Sequence, residues 1–181
     1  MPYWISPHFR DDHFPVGPSL DDKVAIFADR VRGWQLDIAD RLQRDVQHSG
    51  FAVLSVVVSY FEMIAKYRDG FVGTGKSEHY FTQGVEWVFP AIGPHGQVLK
   101  RLYKAVRCGM YHSGITLHGV GITDEGDAAL RSTQDGQNIM INPHQLVPAL
   151  QDHFSRYVVT LQNALNEAER LNFQKRFDRG V

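Results

Sequence analysis

Apolar residues return at helical spacing along most of the chain, with one long interruption by short alternating stretches. Ser19 opens the first helix: in "SLDD" it stands as an N-cap with Asp22 at the third helical position, a relative of the capping box, and the early acids suit the helix dipole. Val24, Phe27, Val31, Trp34, Ile38 and Leu42 then recur on one face to about His48, which predicts a single long amphipathic helix. From Phe51 to about Tyr67 apolar residues point all ways round, as expected of a helix covered on most sides. The "YFEMIAKYRDG" ending, with Lys66 and Arg68 in the last turn and Gly70 past it, supplies the stop.

The stretch "SEHYFTQGVEWVFPAI" predicts a shorter helix halted by Pro90, and Pro94 suits the first position of a third main helix through "HGQVLKRLYKAVRCGMYH". Its predicted apolar side is Leu99, Tyr103, Val106 and Met110. Between Gly114 and Asn142 the pattern alternates, and Asp135-Gly136 between two candidate strands signals a hairpin. Asn142, Pro143 and Gln145 then open a long helix with Leu146, Leu150, Phe154, Tyr157, Leu161, Leu165 and Ala168 on one face. The predicted fold is all-α: an antiparallel bundle of four to five helices, with a small β-hairpin inserted before the last long helix. Residues 1–18, rich in Pro, His and aromatics, read as an arm packing on the domain or a partner, and 19–181 as a single domain.

Composition adds little to this and removes several classes. The apolar share of 43% and charged share of 22% belong to an ordinary globular chain. A formal charge of −1 provides no overall field for nucleic acid or an anionic membrane, so any basic site must be local. Cys108 is the only cysteine, which excludes an internal disulfide framework and fits a reducing compartment. The opening residues lack the basic segment and apolar run of a secretory signal, and the Phe51–Ile64 stretch, interrupted by Ser55, Ser59 and Glu62, reads as short of a membrane span. The expectation is a cytoplasmic protein without a membrane partner. The histidines show no spacing typical of zinc enzymes, so no metal or other cofactor is expected.

Two stretches invite a chemical reading. "GFVGTGKS", residues 70–77, spells the phosphate-loop pattern, yet such a loop needs a buried strand to deliver it, and "IAKYRD" before Gly70 ends a helical pattern. A Gly-rich connection, with Ser77 capping the next helix and Lys76 solvated, is the expectation there. On the third main helix Lys100, Lys104, Arg107 and Tyr111 are spaced to form one basic stripe with an aromatic end. Arg107 is followed by four residues and then His112, close to Ser113-Gly114 where the helix should stop. The same kind of pair, Arg41 and His48, lies on an ordinary polar face and is set aside. His118 reads as a loop histidine.

In the segment "RCGMYHSG" the chain resembles the HEPN domains (higher eukaryotes and prokaryotes nucleotide-binding), helical bundles that commonly dimerise and include metal-independent ribonucleases. Their mark is an arginine and a histidine with four to six residues between them near the end of a bundle helix. Arg107 and His112 match it; the residue after the arginine, polar in many members, is Cys108 here. The resemblance implies a homodimer, an RNA substrate, and a cleft where Arg107 and His112 act as catalytic residues. Lys100, Lys104 and Tyr111 would then bind RNA, with Glu62, Cys108 and Ser113 supporting, and a cognate protein partner of the toxin–antitoxin or defence kind would be in keeping. Taken from the residues alone, two other classes stay open: a non-catalytic helical dimerisation or interaction module with Arg107 tied up in a salt bridge to a carboxylate such as Glu62, and a nucleotide-binding protein using Gly70 to Ser77. Cys108 itself reads as an inert, half-buried thiol.

Overall fold

The computed structural model describes residues 1–92, 96–117, 119–133 and 138–179. The chain is mostly helical, with one small mixed sheet. Pro94, His118 and the Asp135-Gly136 turn, each singled out above, lie outside the described residues.

The first helix begins where its cap predicts. The Ser19 hydroxyl accepts from the Asp22 N–H at 3.2 Å and the Asp22 carboxylate accepts from the Ser19 N–H at 2.9 Å. Helix α1 (Leu20–Val31) buries Val24, Phe27 and Val31 as expected. A π turn over Arg32–Leu36 then leads into α2 (Asp37–Asp45). A π turn carries one residue more than an α turn, which rotates everything beyond it by about 100°. Trp34 and Ile38, predicted to face inward, are therefore 47% and 41% exposed, while Leu36 and Ala39 are buried in their place. The turn satisfies three neighbours at once. Leu36 enters the core, the Gln35 amide donates to the Val56 carbonyl and the Ser59 hydroxyl, both at 2.9 Å, and Gly33 faces the arm, where a Cβ would lie 2.5 Å from Pro7.

The arm is fastened to α1. Ser6 donates to Asp29 at 2.6 Å, His8 Nδ1 lies 2.7 Å from the same carboxylate, and Arg30 donates to the Ile5 carbonyl.

Helix α3 (Gly50–Asp69) is the middle of the structure, touching α2, the π turn before it, a second π turn over Tyr103–Cys108 and the three helices α4 (Ser77–Val88), α7 (Pro143–Gln162) and α8 (Glu167–Arg179). By length and composition it would serve as a membrane span, contrary to the expectation from its interruptions, but half of that apolar window is covered by the rest of the fold, and a core helix passes the same test. It ends as predicted: Gly70, at φ +65°, lets its own N–H reach the Tyr67 carbonyl and the Phe71 N–H reach Lys66, a Schellman closure. Helix α8 seals the same end, with the Asn172 amide donating to the Arg68 carbonyl at 3.0 Å.

A third helical run is built from α5 (Gly96–Leu102), the second π turn (Tyr103–Cys108) and α6 (Gly109–Ser113), stopped by Gly114 at φ +68°. Its buried side is Leu99, Leu102, Ala105 and Val106, whereas Tyr103 and Met110, assigned to that side by spacing, are only partly covered.

The predicted hairpin exists as part of a larger element. Strands β2 (Leu130–Ser132) and β3 (Ile139–Ile141) pair antiparallel, with Leu130 opposite Ile141, and β1 (Val120–Ile122) adds to the other side of β3 in parallel. The Asn142 N-cap of α7 forms as read, its carboxamide oxygen accepting from the His144 N–H at 3.0 Å and its amide donating to the Gly126 carbonyl at 2.8 Å. Helix α7 nevertheless stops at Gln162 and is not the last helix. Asn163 takes the Leu165 N–H on its side chain and Asn166 donates to the Thr160 carbonyl, so two asparagines offer the backbone an alternative to helix. Leu165, predicted inside, is 88% exposed. Helix α8 folds back instead, held to α1 by Arg170 on Asp21 at 2.8 Å and by Lys23 on Asp178 at 2.7 Å.

The tightest approach is between α3 and α4, where a Cβ on Gly84 would stand 2.0 Å from the Phe61 carbonyl oxygen. Gly84→Ala is expected to remove about 3 kcal/mol or more of stability, because backbone and not a pliable side chain blocks the methyl group. Gly75→Ala, where the surroundings are open and only the positive φ of +77° resists, is expected to cost about 1 kcal/mol. Urea unfolding midpoints of the two variants check this ranking.

Candidate functional site

Glu62 lies on the α3 face that meets α4 and the second π turn, a poor place for a lone charge. Its side chain is 17% exposed, and its carboxylate is compensated from three directions. Lys66, one turn along α3, reaches Oε1 at 2.5 Å. Ser77, at the first turn of α4, donates to Oε2 at 2.5 Å. Arg107, in the π turn, brings its guanidinium to 3.6 Å from the same Oε2. Burial by itself pushes the Glu62 carboxyl up, but the hydrogen bonds from Lys66 and Ser77 and the charges of Lys66 and Arg107 outweigh it and hold the group below its ordinary value.

Arg107 remains 28% exposed, and its guanidinium lies over the Tyr111 ring at 4.9 Å from the centroid. That distance is within cation–π range. Tyr111 is 71% exposed, and His112 and Ser113 beside it are exposed as well. Cys108 is a free, half-buried thiol. The Gly109 position keeps this end compact: the following loop crosses it so closely that a Cβ would meet the Ile115 carbonyl at 2.7 Å, and the Leu117 N–H returns to the Ala105 carbonyl at 3.0 Å. Ile115 and Leu117 are thereby left exposed next to Tyr111 in the chain.

The π turn changes what spacing implied. Lys100, Lys104, Arg107 and Tyr111 share one stripe only on a uniform α-helix, and the run loosens into a π turn over Tyr103–Cys108. Arg107 and Tyr111 are brought together, with Arg107 turned to Glu62, and Lys100 and Lys104 line a hollow of about 420 Å³ together with Gln97, Arg101, Ala105 and Leu117. No carboxylate lines that hollow among the described residues. Lys100 also borders a second hollow of about 590 Å³, together with Lys76, Ser77, His79 and the carboxylates of Glu78 and Glu86. A further hollow of about 610 Å³, between the end of α2, β1 and the start of α7, includes His48 and His144 and none of the candidate residues.

The phosphate-loop lookalike takes its place in this geometry as a connection. A helix, α3, leads into Gly70 where a phosphate loop needs a strand. Lys76 itself stands at the cap position of α4, in the left-handed region at φ +56°, with its Nζ over the Phe71 ring. Ser77 is the first helical residue and not the cap, and its hydroxyl is committed to Glu62. Of these contacts, the Glu62–Lys66 pair was visible as an i,i+4 spacing. The link to Ser77 depends on how α3 and α4 cross. Among the described residues, no group of three or more His, Cys, Asp or Glu side chains is placed to hold a metal.

No protein-family model matches the chain, and neither the curated proteins nor the solved structures contain a match to it.

Because its folded value is lowered, Glu62 contributes stability that is fully present above its unfolded value near 4.5 and is lost as the pH falls through the lower folded value. Glu62→Gln is therefore expected to lose stability at neutral pH and to show a flatter acid limb than the parent. Thermal melts from pH 7 to pH 3 read this directly; parallel acid limbs would assign the ion cluster no part in acid unfolding.

Proposed function

We propose that the chain is a metal-independent endoribonuclease, or an RNA-binding relative, of the HEPN type: an antiparallel helical bundle working as a homodimer, with Arg107 and His112 at the shared cleft. The observation that carries this reading is the exposed end of the third helical run. There an arginine held on an exposed tyrosine stands five residues from an exposed histidine, in the same helical run as the two lysines of a hollow with no carboxylate among its described lining residues.

Attack of a ribose 2′-OH on the adjacent phosphate requires a proton acceptor, a proton donor to the leaving 5′-oxygen, and positive charge for the phosphate oxygens. Imidazole is the side chain that exchanges a proton most readily near neutral pH, so His112 takes the acid–base role. A guanidinium matches two phosphate oxygens at once, so Arg107 takes the electrostatic one. Lys100 and Lys104 hold flanking phosphates, and the Tyr111 ring offers a face to an unstacked base. Two copies related by a two-fold axis would set two such helix ends side by side and double the local charge.

The Arg107–Glu62 ion pair favours a second reading, a non-catalytic dimerisation or interaction module in which that arginine is structural. Exposed Tyr111, Ile115 and Leu117 would then belong to the contact surface. The helix leading into Gly70 gives no support to nucleotide binding by residues 70–77.

Incubation of a mixed RNA pool with the protein in EDTA separates the two. The ribonuclease is expected to leave 2′,3′-cyclic phosphate ends, and Arg107→Ala with His112→Ala to lower the rate by about 10²-fold or more. Equal absence of cutting by parent and variant would favour the interaction module.

A further inference from the structure

We infer that Ser77, the last residue of the phosphate-loop lookalike, is a positioning residue that keeps Arg107 available to an anion by occupying the Glu62 oxygen Arg107 would otherwise claim; the inference rests on the proposed phosphate-binding role of Arg107.

An arginine beside a carboxylate ordinarily closes into a fork of two parallel hydrogen bonds. Arg107 does not. Its nearest nitrogen stops 3.6 Å from Glu62 Oε2, within ion-pairing distance and beyond a normal hydrogen bond. Both carboxylate oxygens are already held, Oε1 by Lys66 and Oε2 by Ser77, each at 2.5 Å. The guanidinium rests on the Tyr111 ring instead, its charge offset by Glu62 and its donors not consumed there. Glu62 thus orients the arginine without capturing it, and the hydroxyl of Ser77 maintains the difference.

Ser77 is placed for this by the fold. It lies seven residues before Gly84 on α4, two turns back on the same face, and Gly84 is the residue that lets α4 approach the carbonyl of Phe61, the neighbour of Glu62. A serine here fits for a steric reason as well: its short side chain reaches Oε2 from the first turn of α4.

Removal of the hydroxyl frees Oε2, and Arg107 closes onto Glu62. An incoming anion must then displace a charge-assisted hydrogen bond, which weakens its binding by about tenfold. The test uses the whole protein labelled with ¹⁵N-arginine, with the Arg107 Nε–H signal assigned through Arg107→Lys. Its exchange with water is measured first without ligand and then during titration with inorganic phosphate. Ser77→Ala is expected to slow exchange and to raise the phosphate midpoint about tenfold, Ser77→Thr to follow the parent, and Glu62→Gln added to Ser77→Ala to restore both. Unchanged Arg107 exchange in Ser77→Ala, or a double variant no freer than the single one, overturns the inference. Slowed exchange together with no phosphate response in any protein leaves the positioning by Ser77 standing and removes the ribonuclease reading. Should Ser77→Ala fail to melt cooperatively, Ser77→Val beside Ser77→Thr repeats the comparison with matched shapes.

Discussion

The close crossing of α3 and α4 is the constraint on which the rest of the arrangement depends. A glycine at position 84 lets one helix backbone lie against the Phe61 carbonyl of the other, and no other residue leaves that space. Helix α3 is enclosed as a result, with α4 on one side and α2, α7 and α8 around it. The apolar residues Val53, Val57, Phe61 and Ile64 are buried by this enclosure, and the aromatic rings of Phe81 and Phe89 pack edge-on or tilted against Phe61. A charge on the same helix, Glu62, is drawn into partial burial with them.

That charge organises the candidate site. A carboxylate with little access to water requires partners, and the fold supplies one from its own helix, one from α4 and one from the third helical run. The third partner is the residue the chemistry would use. Arg107 therefore belongs to two systems, a structural ion cluster on its inner side and an exposed aromatic and cationic surface on its outer side. The ribonuclease reading relies on the outer contacts and the interaction-module reading on the inner ones, so the strength of the Glu62 contact matters more to function than its presence.

The two π turns show where periodicity misleads. Spacing rules assume a constant rotation per residue, and two of the helical runs that depart from the expected faces contain a turn with an extra residue. Trp34 and Ile38 are displaced to the surface by the first, and the basic stripe of Lys100, Lys104 and Arg107 is interrupted by the second. In each case the irregular turn lets neighbouring residues meet different demands: Gln35 bonds to α3 while Leu36 enters the core, and Val106 is buried while Arg107 turns to Glu62.

The features legible in the sequence are those whose partners lie within a few residues. The caps at Ser19, Gly70 and Asn142, the helix over the Phe51–Tyr67 segment, the antiparallel pair of strands before Asn142 and the Glu62–Lys66 spacing are all local hydrogen-bond or periodicity statements, and the structure contains each of them. Arg107 and His112 were legible as a helix-end pair, but not the Arg107 environment. The π turns, the parallel addition of β1, the break at Asn163 and the commitment of Ser77 to Glu62 were decided by tertiary structure. Each is a choice between nearly equivalent local conformations or partners, and only packing against a distant element separates them in energy: Ser77 and Glu62 are fifteen residues apart, and the crossing at Gly84 is what brings them within one hydrogen bond.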